Sequence, residues 1–149
     1  MLVVVKIRLV IVNLSSASYC CRAVLPYMQT GWGRIVNMSS LAGRNGGGAG
    51  AVAYGAAKAG LLGFTRGLAK KVAPLGITVN AVAPGLILET PFHDTFNTEE
   101  GKRATIAKIP LKRGGVPDDV AGAVLFLVSD LASFITGETT EINGGVWFK

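Results

Sequence analysis

The chain has 149 residues, half of them hydrophobic, with 20 glycines and a net charge of +6 from 15 basic and 9 acidic side chains. That is the length of a single domain, 1–149, with enough apolar material for a real core, which excludes a disordered composition. The basic residues are scattered in runs no longer than two and do not alternate with aromatics, so they describe a solvated surface rather than a nucleic-acid face.

In chain order, Met1 to Val12 is apolar but interrupted by Lys6 and Arg8. It is too short to span a bilayer and lacks the basic start and small-residue cleavage site of a signal peptide, so Val3 to Val12 reads as a strand or an irregular replacement for one. Ser15 to Thr30 has helical spacing, with Pro26 marking a bend or late turn. The adjacent pair Cys20 and Cys21 offers neither a bridge nor a metal spacing, and its free thiols fit a reducing cytosol. Arg34 to Met38 is a short strand ending in Ser39-Ser40, followed by a glycine-rich loop from Leu41 to Ala53. Tyr54 to Ala73 is a helix stopped around Pro74 and Gly76, and Ile77 to Val82 is a β-branched strand closed by Pro84-Gly85. Leu86 to Pro91 connects onward. Thr98 to Lys108 is helical, with Thr98 as cap and Glu99 and Glu100 in the first turn. Pro117 to Ser129 is a further helix with proline in its first turn, and Glu138 to Ile142 is a last strand.

Strands separated by helices imply an α/β fold: a parallel sheet covered on both faces. The helix from Tyr54 carries Gly55, Gly60, Gly63 and Gly67, each costing about 1 kcal/mol relative to alanine in a helix interior. Such glycines are offset only by close packing, against the chain's own sheet or against another subunit.

Tyr54 and Lys58, four apart, share one face of that helix. An ammonium one turn from a phenol favours the phenolate and makes the pair a usable general acid/base. Ser40, at a strand end, is placed to hydrogen-bond a substrate oxygen. A tyrosine and lysine at this spacing are by themselves more often an ordinary surface pair. The sole histidine, His93, has no surrounding motif for a metal site or a Ser-His-Asp triad, so no metal is expected.

The neighbourhoods change the weight. Gly33-Arg34-Ile35-Val36-Asn37-Met38-Ser39-Ser40, Tyr54-Gly55-Ala56-Ala57-Lys58-Ala59-Gly60 and Gly76-Ile77-Thr78-Val79-Asn80-Ala81-Val82-Ala83-Pro84-Gly85 occur in order. Ile135-Thr136-Gly137-Glu138 and Ile142-Asn143-Gly144-Gly145 follow. This succession resembles the short-chain dehydrogenase/reductase family over nearly the whole chain. The resemblance implies a Rossmann-like doubly wound parallel sheet, truncated at its N-terminal side, and a hydride transfer between NAD or NADP and a carbonyl or alcohol. By position, Tyr54 would be the acid/base, and Lys58 would assist it and hold the nicotinamide ribose. Ser40, rather than Ser39, would orient the substrate oxygen. Asn13, within Val12-Asn13-Leu14, would support a water-linked proton relay to Lys58, or else cap a helix. Pro84, Gly85, Ile87 and Thr90 would contact the nicotinamide, with Leu88 the alternative to Ile87.

Two family features do not occur in these 149 residues: the T-G-x-x-x-G-x-G turn that cradles the pyrophosphate, and a later N-A-G segment. The only glycine cluster, Gly43 to Gly50, sits between Ser40 and Tyr54, on the substrate side. Weak dinucleotide binding and a poor catalyst are therefore expected of the chain alone. Within the family the motifs are most similar to 3-oxoacyl-carrier-protein reductases and related 3-oxoacyl-CoA or sugar-alcohol reductases. Phe92, His93, Phe96 and Ile109 would line a partly apolar substrate pocket. The resemblance further implies a cytoplasmic homo-oligomer, dimer or tetramer, built on the glycine-rich helix and on the C-terminal stretch to Phe148, with no nucleic-acid or membrane partner. The alternative is a non-catalytic paralogue that serves as an oligomer partner.

Overall fold

The structure, a computed structural model, describes residues 7–28, 31–48, 50–91, 95 and 98–148. Its centre is the β-branched strand β2, Ile77–Pro84, in which every residue but Pro84 is buried. Strand β1, Gly33–Met38, runs parallel to it from Gly33 opposite Ile77 to Met38 opposite Val82. Strand β3, Thr139–Ile142, lies parallel on the other side, with Ala81 opposite Thr139 and Pro84 opposite Ile142. The order β1-β2-β3 places β2 between its two parallel neighbours, as the expected parallel sheet requires. A strand buried on both faces reads as a near-continuous apolar run, which is the pattern of β2. β1, like β3 an outer strand of the three described, is only half-buried, with Met38 exposed.

Helices cover both faces. On one side lie α1, Ser16–Val24, and α3, Val52–Val72. Cys21, Leu68, Ala69 and Val72 close there over Ile77 and Val79, with Leu25, Met28 and Phe64 at the margin. On the other side α5, Pro117–Val128, sets Leu127 against Val82 and Ala132. The short α2, Ala42–Asn45, interrupts the glycine-rich loop, and α4, Glu99–Lys108, stands on the outside. Thr98 caps α4 as expected, its hydroxyl accepting from Gly101 N–H at 3.1 Å. The Asp119 carboxylate accepts from Val116 N–H at 2.8 Å and from both arms of Arg113 at 2.7 and 2.8 Å. The Arg113 hydrogen bond, then that of Val116, holds its carboxyl well below the usual carboxylate range.

The first stretch overturns its expectation. Residues 7–10 are helical, and Ile11–Ser15 forms a π turn that runs straight into α1. A short apolar run cannot be assigned to strand or helix by periodicity alone, and here packing decided. Leu14 seats on α3 at Gly60, and Cys21 enters the core. The continuous helical run Ile7–Tyr27 is, by length and composition, long enough to cross a membrane, and most of it is exposed. Burial pushes the Cys21 thiol up, and neighbouring Cys20 adds to this. Val3 to Lys6 of the expected strand lie outside the described residues.

Candidate active site

The parallel sheet brings the ends of β1 and β2 together, which is where an open α/β sheet presents its crevice. Ser39 N–H donates to Val82 O and Leu41 N–H to Pro84 O, both at 2.8 Å, so the ladder continues past β1 and carries Ser39, Ser40 and Leu41 alongside the end of β2.

The loop then folds down onto α3. A Cβ at Gly43 would stand 2.7 Å from the Lys58 carbonyl carbon and 2.9 Å from Ala59 N. A Cβ at Gly55 would stand 2.7 Å from Gly46 O. Both contacts are backbone against backbone, so only glycine fits at either position. They dock the serine loop on the first turns of the helix that bears Tyr54 and Lys58, which is what the glycines of that helix were expected to permit at this end.

The two serines have different duties. Ser39 is 3% exposed and its hydroxyl donates to Lys58 O at 2.9 Å. Ser40 is half-buried, and its Oγ accepts from Ala42 N–H at 3.2 Å. That leaves the Ser40 hydroxyl proton without a partner among the described residues. Lys58 Nζ donates to Met38 O at 2.8 Å and stands 5.6 Å from the centre of the Tyr54 ring, within cation–π range. Desolvation pulls the Lys58 ammonium below the ordinary lysine value.

Asn13 lies in the middle of the π turn, where its Nδ2 donates to Leu9 O at 3.0 Å. It therefore caps no helix, and among the described residues no hydrogen bond joins it to Lys58. A π turn was not foreseen, because the i→i+5 bond from Ser16 N–H to Ile11 O has no sequence signature of its own.

Past β2, Gly85 N–H donates to Ile142 O at 2.9 Å, and Pro84 O is the acceptor for Leu41. Ile87 is buried and forms a parallel bridge with Gly115, and Leu88 packs on Gly114. The Ile87 and Leu88 side chains thus both turn toward the segment before α5. Thr90 Oγ1 donates to Ile87 O at 3.0 Å, closing a local turn. Phe92, His93 and Phe96 lie outside the described residues. Ile109 is 2% exposed and lines a cleft of about 250 Å³ with Leu86, Leu111, Glu141 and Asn143. Neither Ser40, Tyr54 nor Lys58 lines that cleft, so it adjoins the constellation without containing it.

The sequence reading missed the ion pair between Arg44 Nε and Glu141 Oε1, 2.6 Å long, which joins the serine loop to β3. A lone arginine among glycines and a lone glutamate in a late strand carry no spacing that would relate them. Among the described residues no group of three or more His, Cys, Asp or Glu side chains is placed to hold a metal ion.

A family model described as "Enoyl-(Acyl carrier protein) reductase" matches residues 7–147. The 3-oxoacyl-[acyl-carrier-protein] reductase FabG of Rickettsia felis is 50% identical over 124 residues, covering 83% of this chain and 50% of the relative. The protein of the same name from Aquifex aeolicus is 53% identical over 116 residues, covering 78% and 46%. Nodulation protein G of Azospirillum brasilense is 45% identical over 138 residues, covering 92% and 55%. Among solved structures, a short-chain dehydrogenase/reductase (glucose/ribitol dehydrogenase) from Brucella melitensis superimposes with a TM-score of 0.84 at 37% identity, covering 92% of this chain and 54% of its own. The TT0495 protein from Thermus thermophilus does so with a TM-score of 0.89 at 35% identity, covering 95% and 60%. The chain spans about half the length of the curated relatives it matches. With the parallel sheet and its flanking helices, these likenesses establish that the chain belongs to the short-chain dehydrogenase/reductase family, as the C-terminal part of its Rossmann-like α/β fold.

Proposed function

We propose that the chain carries the catalytic half of an NAD(P)-dependent reductase acting on a carbonyl, with a 3-oxoacyl thioester as the substrate class. The observation that supports this best is the division of labour between the serines. Ser39 donates to the backbone of α3, while the Ser40 hydroxyl donates to no partner among the described residues and is available to an oxygen from outside the chain.

The residues present suit the nicotinamide end of the cofactor in chemistry. A ribose asks for donors such as the Lys58 ammonium, and a carboxamide asks for an open backbone turn such as Pro84–Gly85, with Ile87 and Thr90 following it. When bound, a reduced nicotinamide supplies the hydride. The Tyr54 hydroxyl gives a proton to the substrate oxygen, so that hydride and proton together turn the carbonyl into an alcohol. The Lys58 ammonium stands 5.6 Å from the centre of that ring, beside the negative charge that the transfer leaves. Ser40 donates its hydrogen bond to the same oxygen and fixes its direction, the orientation on which much of such a rate depends. Asn13 is assigned a water-linked role in returning the proton.

The substrate class rests on the relatives named as 3-oxoacyl-[acyl-carrier-protein] reductases. The same likeness supports a cytoplasmic homo-oligomer. The open face of α3 at Gly63 and Gly67, and the exposed Trp147 and Phe148, are the surfaces through which copies would meet.

The test is turnover of a 3-oxoacyl thioester, followed as loss of reduced-nicotinamide absorbance. The chain is assayed alone and mixed with an N-terminal segment from a full-length relative that carries the glycine turn. The expected result is little activity alone, clear activity in the mixture, and a loss of about 10²–10⁴-fold with Tyr54→Phe. A mixture that associates yet never turns over would overturn the catalytic reading in favour of a non-catalytic partner. Turnover by the chain alone would overturn the need for a complementing segment.

A further inference from the structure

The constellation explains what Ser40, Tyr54 and Lys58 would do, but not what keeps the serine loop in register with the turn after β2. Arg44 lies in the last turn of α2, four residues beyond Ser40, and Glu141 lies in β3, 97 positions away in sequence. Their side chains retain only 12% and 18% exposure, and Arg44 Nη2 is buried with no hydrogen-bond partner among the described residues. Glu141 Oε2 in turn accepts from Asn143 Nδ2 at 3.3 Å. Asn143 closes the turn after β3, its Oδ1 accepting from Gly145 N–H at 3.0 Å. A Cβ at Gly85 would meet Asn143 Cβ at 3.0 Å, so the turn after β2 rests directly on this residue. The ion pair thus joins the Ser40 loop to the end of β3, and Asn143 carries the connection on to the Pro84–Gly85 turn.

We propose that Arg44 and Glu141 are positioning residues, whose ion pair locks the Ser40 loop onto the end of β3 and, through Asn143, onto the Pro84–Gly85 turn. The proposal rests on the reading that Ser40 and Pro84–Gly85 belong to the active site. Its physical basis is desolvation. A guanidinium this far from water depends on its one carboxylate, because removing that partner leaves a buried charge uncompensated. The network therefore holds as a unit or opens as a unit. Other ties hold the loop to β2 and α3, namely the Leu41 to Pro84 hydrogen bond, the Ser39 hydroxyl on Lys58 O and the contacts of Gly43 and Gly46 with α3, and none of these reaches β3.

The test is amide hydrogen exchange on the full 149-residue chain, which needs no turnover. In Glu141→Gln and Arg44→Gln, exchange at Leu41 and Gly85 is expected to rise about tenfold or more relative to Val79 and Ala81 in β2, the signature of a local opening. Arg44→Lys keeps the charge and should restore part of the protection, and it carries the comparison if either glutamine variant fails to fold. Loop amides that stay at the parent rate overturn the proposal. So do loop amides that rise only in step with β2, and an Arg44→Lys chain indistinguishable from Arg44→Gln. Failure of the underlying catalytic reading shows separately, as turnover insensitive to Ser40→Ala.

Discussion

The two ends of α3 use the same residue for opposite purposes. In its first turns, Gly55 lies where a Cβ would strike Gly46 O at 2.7 Å, and Gly60 where it would strike Leu14 at 2.9 Å. Further along the helix, the position of Gly67 has nothing within 4 Å among the described residues, and Gly63 is equally open. The first end is built around the serine loop and the π turn. The second borders a groove of about 360 Å³ that it shares with α1, between Cys21, Leu25, Phe64 and Leu68. A helical glycine is therefore informative only once its neighbour is known: Gly55 is required by a backbone contact, Gly60 meets the tip of the Leu14 side chain, and Gly63 and Gly67 meet nothing among the described residues.

The sharpest way to break the comparison is at the stitched end. Gly43→Ala puts a methyl into the Lys58 backbone, which cannot give way as a side-chain tip would. Overpacking of this kind costs about 3 kcal/mol, read as a fall in the urea midpoint, and the proposed activity should disappear with it. A variant with parent stability would mean that the loop does not rest on α3.

Next in size is the serine pair. Ser39→Ala removes a buried hydrogen bond to Lys58 O and should cost about 1 kcal/mol of stability while sparing most of the proposed turnover. Ser40→Ala should do the reverse, leaving the urea midpoint near that of the parent and removing turnover. An exchange of these two outcomes would reassign the substrate-facing role to Ser39.

At the open end the sign should change. Gly67→Ala fills empty space on a helix and should raise stability by up to about 1 kcal/mol if water covers that face. If another copy covers it, the same methyl should lower stability and shift the oligomer toward smaller species in light scattering. Either result separates the functions of the two ends.

The smallest effect concerns Lys58 and is dependent on pH. Burial lowers its folded-state value beneath the unfolded one, so the unfolded chain binds more protons between the two. Stability then rises with pH through that window, and the penalty of the buried ammonium is fully present below it. Lys58→Met loses the hydrogen bond to Met38 O but removes that penalty, so its melting temperature near pH 7 should lie close to the parent's. The difference between the two proteins should move in the parent's favour as pH climbs toward the ordinary lysine range near about 10.4. A difference constant from about pH 7 to 10 would mean that Lys58 is solvated in the folded chain.

Much of this was legible beforehand, for reasons that differ by element. β2 could be read because five of its eight residues are Ile, Thr, Val or Pro, bounded by glycines, and such a run has no competing helical period. The α5 start could be read from Pro117, since a proline in the first turn acts on the helix terminus locally. Tyr54 and Lys58 could be placed on one helical face because their spacing is itself the geometry. Local chemistry of this kind is complete within a few residues of the chain.

What the sequence left open was settled by distance in space. Ile7–Val12 has the composition of a strand, yet it is helical, because Leu14 and Cys21 beyond it gain more by lying on α3. Ser39 and Ser40 are chemically identical, and only the approach of the Lys58 carbonyl tells them apart. Arg44 and Glu141 become a pair only when the sheet brings β3 beside β2 and the serine loop beside both. The sequence by itself determined the three strands, the helices α3 to α5 and the candidate side chains, since propensity and helical spacing are local. Tertiary structure alone decided which glycines meet a neighbouring backbone, which serine is tied to Lys58 O and what holds the loop down, because each depends on a backbone or charge from a distant part of the chain.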